Sequence, residues 1–322
     1  MRVLYSMGAL YLAALALLWA GRWHKISRKT AALVSVLCLL AGSGALAAAV
    51  VPFGNGYGTT VTRLSDLSHV AKIAAPVSGA SGQTDAAGCG KAAPAATASG
   101  KDVPSIAASG RYAALTFDDG PYPPYTNRLL DVLKEKKAHV TFFLVAEQAQ
   151  KYPELVRRML AEGHTVGLHA FKHRDFLKLP EEEKQKDLEL GKKVLHDITG
   201  KDPVYWRPPH GFRDVSVMQL ADREGLTVVN WSVAPRDWTG IDKREILNRV
   251  MDKADDGAIV LLHDGDSPFY KASRQATVDA VPLLIDSLRE KGYHLVSLEE
   301  YFQADARTAG QNSRAKRLRD NR

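Results

Sequence analysis

"TFDDGPY" occupies residues 116–122. The preceding "YAAL" (112–115) is apolar and short, as one strand would be, so Asp118 and Asp119 fall where that strand ends. Adjacent carboxylates repel unless a cation sits beside them. Acids at a strand end belong to α/β folds with parallel strands, where reactive groups gather at the carboxyl ends of the strands.

Working outward, strand and helix patterns alternate from residue 111 onward. "YAALTF", "HVTFFLV", "HTVGLH", "VYWR", "LTVVNWSV", "GAIVLLH" and "HLVSL" read as seven strands. Amphipathic stretches lie between them. "PEEEKQKDLELGKKVLHDITG" has acids first, lysines later and Gly200 at its end, the order a helix dipole favours. Asp214 and Asp242 stand at helix starts as caps, Asp242 with Glu245 three residues on. The expected class is α/β with parallel strands, one strand short of an eight-stranded barrel.

The polar residues at the predicted strand ends form a coherent set. Strand one ends in Asp118 and Asp119, strand three in His169 followed by His173, and strand four in Arg207. Strand five leads to Asp237 and Trp238, and strand six ends in His263 and Asp264. His169 and His173 are spaced so that one helical turn would put both imidazoles on one side. "HAFKH" alone is a weak signal. With Asp119 it makes two histidines and a carboxylate, the donor set of a catalytic zinc site. That answers the doubled acid: Asp119 ligates a divalent ion, and Asp118 is free to take a proton from the attacking water. Arg207 would hold Asp118 ionised. His263 would donate a proton to the leaving group, tuned by Asp237. The kit suits hydrolysis of an amide or ester.

"TFDDGP", "HAFKH", "RPPHG", "RDW" and "LLH" succeed one another in the order of the polysaccharide deacetylase family (NodB-homology domain, carbohydrate esterase family four), which the stretch 111–302 resembles. The resemblance implies a distorted (β/α)7 barrel, TIM-like, and metal-dependent removal of acetyl groups from sugar polymers. It implies Asp118 as base, Asp119, His169 and His173 as metal ligands, and Arg207 as the brace of Asp118. It implies His263 as acid supported by Asp237, and Trp238 and Leu261 as walls of an acetyl-methyl pocket. The main-chain N–H of His210 would face the oxyanion. The metal implied is Zn²⁺, with Co²⁺, Ni²⁺ and Mn²⁺ as alternatives. Three positions depart from the family pattern: Ala170 for a Ser or Thr supporting the loop between the histidines, His210 for Tyr, and Ala234 for Asp.

The ends carry the charge. The 322-residue chain has a net charge of +7, of which residues 1–30 hold +5 and residues 303–322 hold +4, leaving −2 for the body. The body has no basic excess for a phosphate backbone, so nucleic acid is excluded as a partner. The two cysteines, Cys38 and Cys89, are far apart and build no disulfide framework or zinc ribbon. Two apolar runs, 3–21 and 31–52, flank "RWHKISRK". They read as a two-span anchor with a cytoplasmic loop, or as a signal segment with "ALA" at 45–47 for cleavage. Either reading exports the chain beyond residue 52.

The expected organisation is a membrane anchor at 1–52, an Ala/Gly/Ser-rich extracytoplasmic linker at 53–110, a catalytic domain at 111–302 and a basic tail at 303–322. The expected substrate is a polysaccharide containing N-acetylglucosamine, peptidoglycan first, with chitooligosaccharide or exopolysaccharide as alternatives. A sugar-binding pseudoenzyme on the same fold is the rival class. No protein partner is evident. His139, His164, His196 and His294 read as structural, and Tyr122 and Tyr125 as turn packing or a sugar platform.

Overall fold

The computed structural model describes residues 60–67 and 110–305. The expected anchor, both cysteines, and most of the expected linker and tail lie outside the described residues. Among the described residues, no helix is long and apolar enough to cross a membrane.

β1 (Arg111–Asp118) is buried along almost its whole length. Ala113, Leu115 and Phe117 face the main core under the helices, whereas Tyr112 and Ala114 enter a second, smaller cluster with Phe143, Tyr205, Val229 and Ile259. A strand covered on both faces is what a parallel sheet wrapped in helices demands. The elements then run α1 (Tyr125–Lys136), β2 (Thr141–Val145), α2 (Ala146–Lys151), α3 (Pro153–Ala161) and β3 (Thr165–Ala170). Next come α4 (Glu181–Thr199), β4 (Tyr205–Trp206), α5 (Val215–Arg223), β5 (Thr227–Val228), α6 (Lys243–Met251), β6 (Ala258–His263), α7 (Gln275–Glu290) and β7 (Tyr293–Leu295). All strand pairings are parallel, in the order β5-β4-β3-β2-β1-β6, with β7 against the start of β1. This seven-stranded α/β sheet is consistent with the expected (β/α)7 barrel. The helix caps are as read: Asp214 accepts from the N–H of Val217 at 2.9 Å, and Asp242 from those of Arg244 and Glu245 at 2.8 and 2.9 Å.

Two expectations change. The fifth strand was expected over 226–233, but regular pairing with β4 covers only Thr227–Val228. Beyond it the chain crosses the gap between the sheet's two edges, and Val233 bridges Val260 of β6. The two edge strands, β5 and β6, have no direct ladder between them, so residue 229 onward serves both. The remaining gap is filled from upstream. Val61 donates to Val228 O at 2.9 Å and its carbonyl accepts from Asn230 N at 2.7 Å, while Leu64 N donates to Gly257 O at 2.9 Å. Val61, Leu64 and Leu67 are buried in the inner cluster. Part of the stretch expected to be linker is therefore barrel wall. Composition hides this, because only three apolar anchors carry the contact.

The second change concerns the histidines. His169 lies in β3 and His173 in the irregular segment after it, so no helical turn brings them together. A register shift falls where β3 meets the end of β2, and Ala170 there has φ +129°.

Candidate active site

β1 and β6 pair in a register that sets Asp118 level with His263. The two groups therefore come from neighbouring strand ends, not from loops. Thr116 lies two residues before Asp118 and so faces the same way. Arg207, fully buried, reaches both: its Nη1 donates to Asp118 Oδ1 at 2.6 Å and to Thr116 Oγ1 at 2.8 Å. Its Nε and Nη2 donate to the carbonyls of Val229 and Asn230 at 3.0 and 2.9 Å. The Phe143 ring lies 4.1 Å from the guanidinium carbon. A planar fork held at four acceptors and one ring face has a single orientation. Burial pushes the Asp118 pKa above the ordinary carboxylate value, and the Arg207 charge opposes the rise. A carboxylate raised but still braced is suited to accept a proton.

Asp119 turns the other way, with φ +77°. Its Oδ1 lies 3.5 Å from His169 Nε2 and 3.4 Å from His173 Nε2, and it is buried with no hydrogen-bond donor. The other oxygen accepts from Ser267 N at 3.2 Å. His169 Nδ1 lies 2.6 Å from the Arg207 carbonyl, which only an N–H can satisfy, so Nε2 carries the lone pair facing Asp119. Burial lowers the pKa of both imidazoles, with His173 brought down to about 4, so both are neutral near pH 7. Deprotonated nitrogens and a carboxylate are what a divalent ion needs. Two ligands each about 2.1 Å from a tetrahedral ion lie about 3.4 Å apart. The three ligand atoms lie within 4.8 Å of one another. An orphaned carboxylate oxygen between two lone pairs is repulsive as it stands and fits a bound cation.

Ala170 has no hydroxyl to support the loop between the histidines. Asp187 of α4, buried, fills that role. It accepts from Phe171 N at 2.8 Å and holds Arg174 Nε and Nη2 at 3.3 and 3.2 Å. Groups that orient metal ligands are typically worth about 10–100-fold in metal affinity. Asp187→Ala is therefore expected to weaken divalent-ion binding by that factor while the fold persists. Competition against a chelating dye, with circular dichroism as the folding check, measures it.

On the far side, His263 Nδ1 lies 2.9 Å from Asp237 Oδ1, and His263 N donates to Asp237 Oδ2 at 2.8 Å. Thr277 Oγ1 donates to the same Oδ2 at 2.9 Å. Burial opposes charge on His263, but Asp237 outweighs it and raises the pKa to about 9. Trp238 stands edge-on to His263 with ring centroids 5.0 Å apart.

A cavity of about 820 Å³ brings together Asp118, Asp119, His169, His173, His210, Trp238, Leu261 and His263. Arg207 and Asp237 are not among its lining residues and act on Asp118 and His263 from behind. His210 sits at φ +61° with its ring edge 4.5 Å, centroid to centroid, from His173. The sequence reading gave no role to Arg236 of "RDW", which also lines the cavity, and missed Thr62, Arg213 and Phe269 there. Those three carry no motif, and Thr62 reaches the rim only because the upstream segment closes the barrel. His139, His164, His196 and His294 are not among the lining residues. Tyr122 packs on the loop instead, its hydroxyl donating to the Tyr270 carbonyl. Asp264, next to His263, is buried and accepts from the Thr126 hydroxyl.

The model of the family described as polysaccharide deacetylase matches residues 106–229. A peptidoglycan-N-acetylglucosamine deacetylase of Bacillus cereus is 38% identical over 192 residues, covering 59% of this chain and 87% of the relative. The chain belongs to the polysaccharide deacetylase family. A chitooligosaccharide deacetylase of Azorhizobium caulinodans is 33% identical over 191 residues, covering 57% of this chain and 91% of that protein. Among solved structures, the peptidoglycan deacetylase PdaC from Bacillus subtilis superposes with a TM-score of 0.56 at 34% identity, over 64% of this chain and 97% of that one. The polysaccharide deacetylase match ends at residue 229, before β6, yet the β1–β6 register places His263 beside Asp118.

Proposed function

We propose that this polysaccharide deacetylase is a metal-dependent hydrolase that removes acetyl groups from N-acetylglucosamine units of an extracytoplasmic polysaccharide, with peptidoglycan as the substrate. The observation carrying the reading is the convergence, on one cavity, of a metal-fitting Asp119/His169/His173 cluster, an Arg207-braced Asp118 and a charged His263. Asp119, His169 and His173 would hold the ion. Zn²⁺ suits two imidazoles and a carboxylate, and Co²⁺, Ni²⁺ or Mn²⁺ accept the same donors. When bound there, a divalent ion would supply Lewis acidity toward the acetamide carbonyl and the attacking water.

The chain's own residues do the rest. Asp118 takes the water's proton, held in line by Arg207. The main-chain N–H of His210 donates to the carbonyl oxygen as negative charge develops. His263 gives its proton to the departing amine nitrogen, and Asp237 keeps that imidazole charged and turned toward the cavity. Leu261 and the Trp238 ring wall the acetyl methyl. The address rests on the two apolar runs before residue 52, and one experiment covers all three claims. Intact cells expressing the full chain should release acetate from their wall peptidoglycan. A membrane-impermeant chelator should stop the release and added Zn²⁺ restore it. Release that continues after thorough demetallation refutes the mechanism.

The proton donor sets a pH limit. His263 is competent only while charged, so kcat/KM should fall as pH rises through its pKa. Burial lowers that pKa, but Asp237 raises it to about 9, and a dication beside Asp119 would oppose part of the rise. In Asp237→Asn the limb should move toward 6.5. An unmoved alkaline limb in that variant assigns the proton to another group.

A further inference from the structure

Among the described residues, two Phe or Trp side chains are exposed: Trp238 at 42% and Phe269 at 71%. Both line the catalytic cavity. Phe117, Phe142, Phe143 and Phe176, by contrast, are fully buried. Single apolar side chains scattered over a surface are ordinary, but two exposed rings at one cavity are not scattered. Trp238 belongs to "RDW" and stands beside His263. Phe269 has no such place. It lies in the loop between β6 and α7, outside the five motifs and beyond the stretch that the family model matches.

The backbone of that loop is pinned. The carbonyl of Asp266 accepts from Tyr270 N at 2.5 Å, and its carboxylate accepts from Lys271 N and Ala272 N at 3.0 and 2.7 Å. Arg274, buried, donates to the same carboxylate at 2.8 Å. Tyr270 takes the Tyr122 hydroxyl on its carbonyl, and Ser267 Oγ donates to the Tyr270 hydroxyl at 3.1 Å. Ser267 N donates to Asp119 Oδ2 at 3.2 Å. Phe269 thus stands two residues from a contact to a proposed metal ligand and next to an anchored tyrosine. Its position relative to the reacting centre is set by hydrogen bonds, as a subsite in register with the chemistry requires.

We propose that Phe269 is a stacking platform for a sugar ring of the same chain beyond the one being deacetylated, so that this enzyme selects glycans of several units over a single sugar. The inference rests on the deacetylase reading above and adds a residue that sets its length preference. A pyranose ring presents C–H groups on its faces, which can cover an aromatic ring while the hydroxyls stay at the edge in water. Such a contact needs neither a charge on the sugar nor an acetyl group. Phe269 makes it in the ground state and the transition state alike, so the contribution falls on KM and not on kcat. An aromatic contact of this kind is worth about three- to tenfold in affinity.

The test uses the full, metal-loaded chain with Phe269→Ala and Phe269→Trp. Acetate release is followed on N-acetylglucosamine, chitotetraose and an aryl acetate. Binding of chitotetraose is measured by calorimetry in the same variants carrying Asp118→Asn, so that the comparison does not depend on turnover. Phe269→Ala is expected to raise KM for chitotetraose and weaken its binding about three- to tenfold. It should leave kcat, the single sugar and the aryl acetate unchanged, and Phe269→Trp should keep the tighter binding. Equal losses on chitotetraose and the aryl acetate would mean that the ring only supports the loop through Ser267, and would overturn the proposal. Unchanged chitotetraose binding overturns it as well, and loss of binding to anionic phospholipid vesicles in that case would assign the ring to a lipid surface. Failure of the deacetylase reading would show separately, as absence of acetate release from either glycan by the unsubstituted chain, with calorimetry still deciding the role of Phe269.

Discussion

Asp118→Asn is expected to cut acetate release by about 10²–10⁴ and to leave the metal in place, whereas Asp119→Asn loses the metal first. The two acids are neighbours in sequence, yet the backbone turn at Asp119 sends their carboxylates to different work. Asp118 Oδ1 faces the Arg207 guanidinium at 2.6 Å, and Asp119 Oδ1 faces two imidazole nitrogens at 3.4 and 3.5 Å. An amide at 118 still fills the space beside Arg207 but cannot accept the water's proton. An amide at 119 offers the cation a dipole in place of a charge. Metal content by atomic emission, measured on the same samples as the rates, separates the roles. Equal metal loss in the two variants would show that the pair has been divided wrongly.

A chain that begins at residue 68 is expected to lose several kcal/mol of stability, even though it retains the whole motif-bearing region. Val61, Leu64 and Leu67 are buried in the inner cluster, and burying such a side chain contributes about 1.5–3 kcal/mol. Domains of this kind are stable by only about 5–15 kcal/mol in total, so the loss takes a large share. The site should suffer too. Val61 pairs with the β5 edge, where the carbonyls of Val229 and Asn230 orient Arg207. Denaturant unfolding of chains beginning at residue 53 and at residue 68 gives the comparison. Coincident unfolding curves would mean that the segment contributes nothing.

The motifs made the site legible because its chemistry depends on residue types at strand ends. Asp118, Asp119, His169 and His263 all fall at ends of β1, β3 and β6 that hydrophobic patterning alone could place. The mutual distances were not legible, since the level pairing of Asp118 with His263 is a matter of register between strands far apart in sequence. The spacing of His169 and His173 suggested a helical turn, but a strand followed by an irregular loop satisfies the same spacing. Asp187 escaped notice because it sits in the middle of a charged helix, where an acid is expected to face water. The barrel-closing segment escaped because low-complexity sequence after it drew the boundary in the wrong physical place: a few buried apolar side chains suffice to make a wall, and composition averages them away.

That segment also makes the fold a self-ligated complex. Residues 60–67 reach the barrel at an effective concentration set by the chain between Leu67 and Gly110. One proteolytic cut in that stretch would leave every catalytic residue on a single fragment and turn the segment into a separate peptide. Its occupancy would then obey mass action. A nicked sample should work when concentrated and fade on dilution, with activity returning when a synthetic peptide of residues 57–70 is added. Intact chain would show no such dependence, so proteolysis would tune this enzyme without touching its catalytic residues.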